Sequence, residues 1–120
     1  MKKTLLALAL AAGLPAAAQA QDAEAGKAVF NVCKACHSVD EGAKGVGPNL
    51  KGVIGRKSGA LEGFTYSEPM KASGLTWDEA TFADYIANPK TKIPGNKMVF
   101  AGIKDEQKIK DLIAFLKANP

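Results

Sequence analysis

Histidine occurs once in this 120-residue chain, cysteine twice and tryptophan once. Those scarcities exclude whole chemistries. A structural zinc site needs four ligands, and two Cys with one His cannot supply them. Neither a G-x-S-x-G turn nor a P-loop occurs, so no catalytic constellation of those kinds is present. No run alternates apolar and polar residues as a half-buried strand would, and no βαβ pattern appears. Internal repeats and low-complexity segments are missing. So are an aromatic-interleaved basic stripe and a helix-turn-helix pattern, which argues against nucleic acid as a partner. The one long apolar stretch, residues 5–14, is too short to span a bilayer comfortably.

That stretch follows Lys2 and Lys3 and precedes Ala18-Gln19-Ala20, the layout of a secretory signal peptide cleaved before Gln21. An uncleaved anchor is the alternative; the well-formed small-x-small site and the lack of a second apolar span weigh against it. The chain thus divides into a leader, residues 1–20, and a single domain, residues 21–120. Without Lys2 and Lys3, 14 basic residues face 12 acidic ones, so the mature domain is only mildly basic. At about 100 residues its core is modest unless something large and apolar fills it.

Both cysteines and the only histidine fall in Cys33-Lys34-Ala35-Cys36-His37. The C-x-x-C-H order is that of a c-type haem attachment site. Two thiolates at this spacing can each add to a porphyrin vinyl group, and the adjacent imidazole can reach the iron from one face. Rival readings are a thioredoxin-like dithiol, a zinc half-site and a small disulfide. The first lacks its βαβ context and the second its remaining ligands. Covalent haem attachment needs the thiols outside the cytoplasm, in accord with a leader that directs the chain to the periplasm.

The rest reads as an all-α domain. Asp22 caps a helix running to about Lys34, interrupted by Gly26, whose missing side chain suits the close approach of another element. Residues 38–63 carry seven glycines and Pro48, which makes them loop. A stretch this long without regular structure needs a rigid object to pack on, and a haem would be one. A short helical turn is expected at 66–72, with Pro69 near its start. Thr76-Trp77-Asp78-Glu79 reads as a capping box that opens a helix through Phe82, Tyr85 and Ile86, ended by Pro89. Residues 88–102 read as loop. Asp105 and Glu106 then open a last helix bearing Ile109, Leu112, Ile113 and Leu116, with Lys117 in its final turn.

With no second histidine, the other axial position falls to Met70, Met98, a lysine, or nothing. Met98 is the better candidate, because it ends the Pro- and Gly-shaped loop Ile93-Pro94-Gly95-Asn96-Lys97-Met98; a methionine that merely fills a core gap is the alternative. A thioether opposite an imidazole raises the reduction potential. Filling both axial positions leaves the iron only its electron count to change, which implies one-electron carriage and no enzymatic turnover.

At this point the chain resembles the class I cytochromes c, most of all the bacterial periplasmic cytochrome c2 group, over residues 22–118. The resemblance rests on Cys33-Lys34-Ala35-Cys36-His37, Gly47-Pro48-Asn49-Leu50, Gly55-Arg56-Lys57, Phe64-Thr65-Tyr66, Leu75-Thr76-Trp77, Tyr85, Asn88-Pro89-Lys90, the Ile93 to Met98 loop and Asp111-Leu112-Ile113-Ala114-Phe115-Leu116. It implies a cytochrome c fold of three to five helices and long loops around one covalent haem c. Cys33 and Cys36 would be the thioether attachments and His37 and Met98 the axial ligands. Pro48 would offer its carbonyl to the free nitrogen of His37, and Tyr85 its hydroxyl to the Met98 sulfur. Arg56, Tyr66 and Trp77 would bond a haem propionate. Gly26 and Phe30 would meet Leu112 and Phe115 where the terminal helices cross. Four features depart from the mitochondrial forms or from many relatives: Asn96 replaces a propionate-binding threonine, Met70 an asparagine and Val32 a lysine, and the loop between His37 and Pro48 is one residue shorter.

The same resemblance places Lys34, Lys44, Lys90, Lys92, Lys97 and Lys104 around the exposed haem edge. As a ring they would steer a monomeric carrier to acidic patches on membrane redox complexes; singly they would be ordinary solubility residues. The implied donor is a cytochrome bc complex and the acceptor a photosynthetic reaction centre or a terminal oxidase. Competing functions are a ligand-binding or peroxidase-like protein with an open sixth site, and a haem module fixed in a larger enzyme.

Overall fold

Four of the five helices among the described residues start where a side chain accepts from their first free N–H groups; α4 starts instead on a proline. In the computed structural model, which describes residues 21–120, Asp22 accepts from the amides of Glu24 and Ala25 and opens α1 (Ala23–Phe30). Ser67 accepts from Met70 N to open α2 (Glu68–Ala72), with Pro69 in the first turn, where no N–H is needed. Helix α3 (Glu79–Ala87) is followed at once by α4 (Pro89–Lys92), and α5 (Glu106–Lys117) is capped by Asp105. Among the described residues there is no strand, only an isolated antiparallel bridge between Lys57 and Thr76. The all-α expectation holds, with five helices joined by long loops among the described residues. The leader expected over residues 1–20 lies outside the described residues.

Three boundaries differ from the sequence reading. Helix α1 stops at Phe30 instead of reaching Lys34, because the chain tightens into three-residue turns: Cys33 N bonds Phe30 O at 2.8 Å and Cys36 N bonds Cys33 O at 3.1 Å. The cap of α3 is Asp78, which accepts from Thr81 N at 2.8 Å, not Thr76. Thr76 is held extended by its bridge to Lys57, and Trp77 N bonds Arg56 O at 2.8 Å, so helix can begin only afterwards. Pro89 both ends α3 and opens α4, since its fixed φ suits a first helical position, and the stretch read wholly as loop therefore contains a short helix.

The core is centred on the crossing of α1 and α5. Ile109, Leu112, Ile113 and Leu116 recur at helical spacing on α5 and are all buried, with Phe30 of α1 beside them. The rings of Phe30 and Phe115 lie 5.1 Å apart. Gly26 is buried in the crossing: a Cβ there would overlap the backbone carbonyl of Asp111 and stand 2.9 Å from Phe115 Cβ. The expected close approach is thus present, and a backbone oxygen cannot swing aside as a side chain can. Asp111 also accepts from Asp22 N at 3.0 Å, so α5 ties down the start of α1.

Gly26→Ala should therefore destabilise the haem-loaded protein. The overpacking cost of about 1–3 kcal/mol exceeds the helix-propensity gain of about 1 kcal/mol, and the thermal midpoint should fall by several degrees. A midpoint that stays or rises in calorimetry would mean that the helices have room to spare.

Candidate haem site

The tightened turn after α1 brings Cys33, Cys36 and His37 to one wall of a cavity of about 660 Å3. His37 N bonds Cys33 O at 2.9 Å, so the pentapeptide is a single closed turn. Both thiols are free; Cys33 is half-buried and Cys36 exposed. Burial, and secondarily the neighbouring Cys36, push the Cys33 thiol up to about 11. A dithiol oxidoreductase needs the opposite, a thiolate stabilised near neutral pH. No group of three or more His, Cys, Asp or Glu that could hold a metal ion exists among the described residues, which removes the zinc reading.

The His37 ring is oriented by its neighbours. Its Nδ1 lies 2.7 Å from the Pro48 carbonyl, which can only accept, so Nδ1 carries the proton and Nε2 keeps its lone pair. Burial lowers the imidazole pKa, outweighing the Pro48 bond that raises it, and the ring is neutral at pH 7. The ring occupies the place a side chain at position 47 would take: a Cβ on Gly47 would sit 2.8 Å from Nδ1 and 2.9 Å from Nε2. The loop is pinned there, since Gly47 N bonds Cys36 O at 2.8 Å and Leu50 N bonds Ser38 O at 2.8 Å. Asn49 Nδ2 reaches back to Asp40 O at 2.7 Å and Ala43 O at 2.9 Å.

Met98 and Met70 line the same cavity, as do Pro48, Arg56, Tyr66, Trp77 and Tyr85. Every residue singled out from the sequence as a site residue therefore meets in one place. Trp77 and Tyr85 are buried with ring centroids 4.8 Å apart, and burial pushes the Tyr85 phenol up to about 12, keeping it a protonated donor. Arg56 Nη1 donates to Asn49 O at 2.8 Å and Nη2 to Lys51 O at 2.6 Å, so its guanidinium braces the loop it faces. The Tyr66 hydroxyl accepts from Leu61 N at 3.2 Å, and its ring meets Phe64 edge-on at 4.7 Å. Phe82, Ile86, Leu112 and Leu116 complete the apolar lining.

Volume and chemistry both suit a porphyrin. The cavity lies in the range of cofactor sites, its lining is mostly apolar, and its donors are a neutral imidazole and soft thioethers with two thiols beside them. Residue-by-residue reasoning did not find Gly47, whose role appears only once the ring above it is seen, or Asn96, whose amide is committed to the loop backbone. Among the lysines, Lys90 donates to Asn96 O at 2.8 Å and Lys97 to Thr65 O at 2.9 Å. Lys104 caps the end of α3 on Ala87 O and Asn88 Oδ1, and Lys92 lies 3.7 Å from Asp84. Their ammonium charges are anchored, not removed.

The family model for cytochrome c matches residues 23–120. The chain is 54% identical over 118 residues to cytochrome c2 of Blastochloris viridis, covering 98% of this chain and 93% of that one. It is 58% identical over 96 residues to cytochrome c-550 of Nitrobacter winogradskyi, covering 79% and 88%. The structure of cytochrome cH from Methylobacterium extorquens superposes with a TM-score of 0.77 at 51% identity, over 81% of this chain and 98% of that one. Agreement of this extent on sequence and fold decides what the cavity is for: the chain belongs to the cytochrome c family, as a class I, c2-like electron carrier and not an enzyme, with one covalently attached haem c.

Proposed function

We propose that the protein is a monomeric periplasmic one-electron shuttle whose haem is bound through Cys33 and Cys36 and whose iron is held between His37 and Met98. The observation that carries this reading is the convergence of a tautomer-fixed imidazole, 2.7 Å from Pro48 O, with the Met98 thioether on one apolar cavity. The haem supplies a one-electron iron couple. The residues set its conditions. Pro48 would make His37 a stronger donor by accepting a hydrogen bond from its Nδ1–H. Met98 would supply a thioether to the iron, a ligand that favours the reduced state. Tyr85, which burial keeps protonated, would direct its hydroxyl toward the Met98 sulfur, and Arg56, Tyr66 and Trp77, which line the same cavity, would hold a haem propionate. A leader over residues 1–20 would deliver the chain to the periplasm, and the same compartment is the expected one for covalent haem attachment.

Val46 and Val99 stand 80% and 97% exposed at the cavity, and Lys34 and Lys44 are exposed nearby in sequence to the haem-binding turn. An apolar centre with a cationic surround suits brief docking on acidic membrane complexes, with a cytochrome bc complex as donor and a reaction centre or terminal oxidase as acceptor.

Met98→Ala should abolish the long-wavelength Met–Fe(III) absorption band, lower the potential by on the order of 0.1 V or more, and let the reduced protein bind carbon monoxide quickly. Met70→Leu should keep the band. A wild-type protein that binds carbon monoxide fully under native conditions would instead be an open-site haem protein.

Electron transfer to an acidic partner should slow about tenfold or more as ionic strength rises from roughly 0.01 to 0.15 M, because the Debye length shrinks from about 30 to about 8 Å. Lys34→Glu combined with Lys44→Glu should flatten that dependence. Stopped-flow rates that ignore salt would remove electrostatic steering.

A further inference from the structure

Asn96 is only 4% exposed, yet it carries an amide and stands two residues before Met98. Every hydrogen of that amide has a partner. Nδ2 donates to Pro89 O at 2.9 Å and to Ile93 O at 2.8 Å, while Oδ1 accepts from Met98 N at 3.0 Å. An asparagine has two N–H donors, and both are used inside the loop, so none is left for a propionate. The residue therefore does not substitute for the threonine of many relatives in that contact. Instead it joins three points of backbone: the start of α4, the residue that closes α4, and Met98 itself.

The loop has few other restraints besides two lysines, Lys90 donating to Asn96 O at 2.8 Å and Lys97 to Thr65 O at 2.9 Å. Residues 93–98 contain no helix beyond the end of α4, and Gly95 turns at φ +83° with Pro69 of α2 packed 3.1 Å from where its Cβ would be. Backbone bonds tie only its first half, Ile93 N to Pro89 O at 3.0 Å and Asn96 N to Ile93 O at 3.2 Å. Past Asn96 the Met98 amide is held by the asparagine carbonyl. A threonine hydroxyl has one proton and could not bridge two carbonyls while accepting from Met98 N.

We infer that Asn96 is a positioning residue for Met98: its side-chain amide clamps the loop and sets how readily the thioether leaves the iron. This rests on the reading of Met98 as the axial ligand. The loop opens locally when the clamp breaks, and an exogenous ligand can bind only in that open state. The apparent affinity for such a ligand therefore reports the closed-to-open ratio, which global stability does not fix.

The test is imidazole titration of the ferric, haem-loaded protein, followed through loss of the Met–Fe(III) band. Asn96→Ala should bind imidazole about 10- to 100-fold more tightly than wild type, the effect expected from removing several buried hydrogen bonds. Asn96→Ser, which can still accept from the Met98 amide, should fall between the two and carries the test if the alanine variant loads haem poorly. Ile113→Val, a core truncation on α5 at a buried residue outside the cavity lining, serves as the control for global destabilisation and should leave imidazole affinity within about twofold of wild type. Imidazole affinity unchanged in both Asn96 variants, or raised as much by Ile113→Val, would overturn the positioning role. Should Met98→Ala retain the wild-type band, the ligand assignment falls and takes this inference with it. Loss of the band in Met98→Ala together with wild-type behaviour of the Asn96 variants overturns the Asn96 role alone.

Discussion

The contact on which the rest of the molecule depends is the close approach of α1 and α5 at Gly26. With no side chain there, the Asp111 carbonyl lies against the α1 backbone, and the Phe30 and Phe115 rings fall 5.1 Å apart. The crossing fixes two things at once. It places the end of α1, from which the Cys33 to His37 turn emerges, and it aims Leu112 and Leu116 of α5 at the cavity from behind. Wall and floor of the site are thus set by one helix pair. The Asp111 carboxylate, accepting from Asp22 N, holds the far end of the same pair.

Apart from Met70 of α2 and Phe82, Tyr85 and Ile86 of α3, the rest of the lining is loop, and loops hold a shape only when their polar backbone groups find partners. In this chain side chains supply many of them. Asn49 ties residues 40 and 43, Arg56 ties 49 and 51, Asn96 ties 89, 93 and 98, and Lys97 reaches Thr65. Most of these clamps act over a few residues, Lys97 to Thr65 being the long-range one, and they leave the inner faces mostly apolar. That combination lets about half of a small domain wrap a cofactor without a sheet or long helices, the large apolar object taking the part of a core the chain is too short to build.

How much of this was legible in the sequence follows from the range of each interaction. The haem-binding turn and the amphipathic α5 are written locally, in a pentapeptide and a helical period, and both were read in place. Boundaries were lost where a partner distant in sequence decides them. Thr76 has the chemistry of a cap, but its bridge to Lys57 keeps it extended and hands the cap to Asp78. Pro89 reads as a stop, and only the succeeding turn shows it is also a start. The roles of Gly47 and Asn96 depend on which atoms lie above them in space, the His37 ring and the Pro89 carbonyl, and no periodicity announces either.

In the proposed ligation the two axial groups are constrained in different ways. His37 is fixed through its side chain, by the Pro48 carbonyl on one nitrogen and the missing side chain of Gly47 beneath the ring. Met98 is fixed through its backbone, by Asn96 Oδ1 on its amide, and beyond that by packing of an intrinsically flexible side chain. An imidazole held at both edge and face cannot drift, so slack between the two redox states is confined to the methionine side. A one-electron carrier works best when neither state demands rearrangement, and here the least restrained element is stabilised by a buried amide with all its hydrogen bonds made. Such an amide is costly to break once formed, because any opening leaves its donors and acceptor without partners in an apolar setting. The loop that carries the weaker ligand is thereby given the stronger clamp.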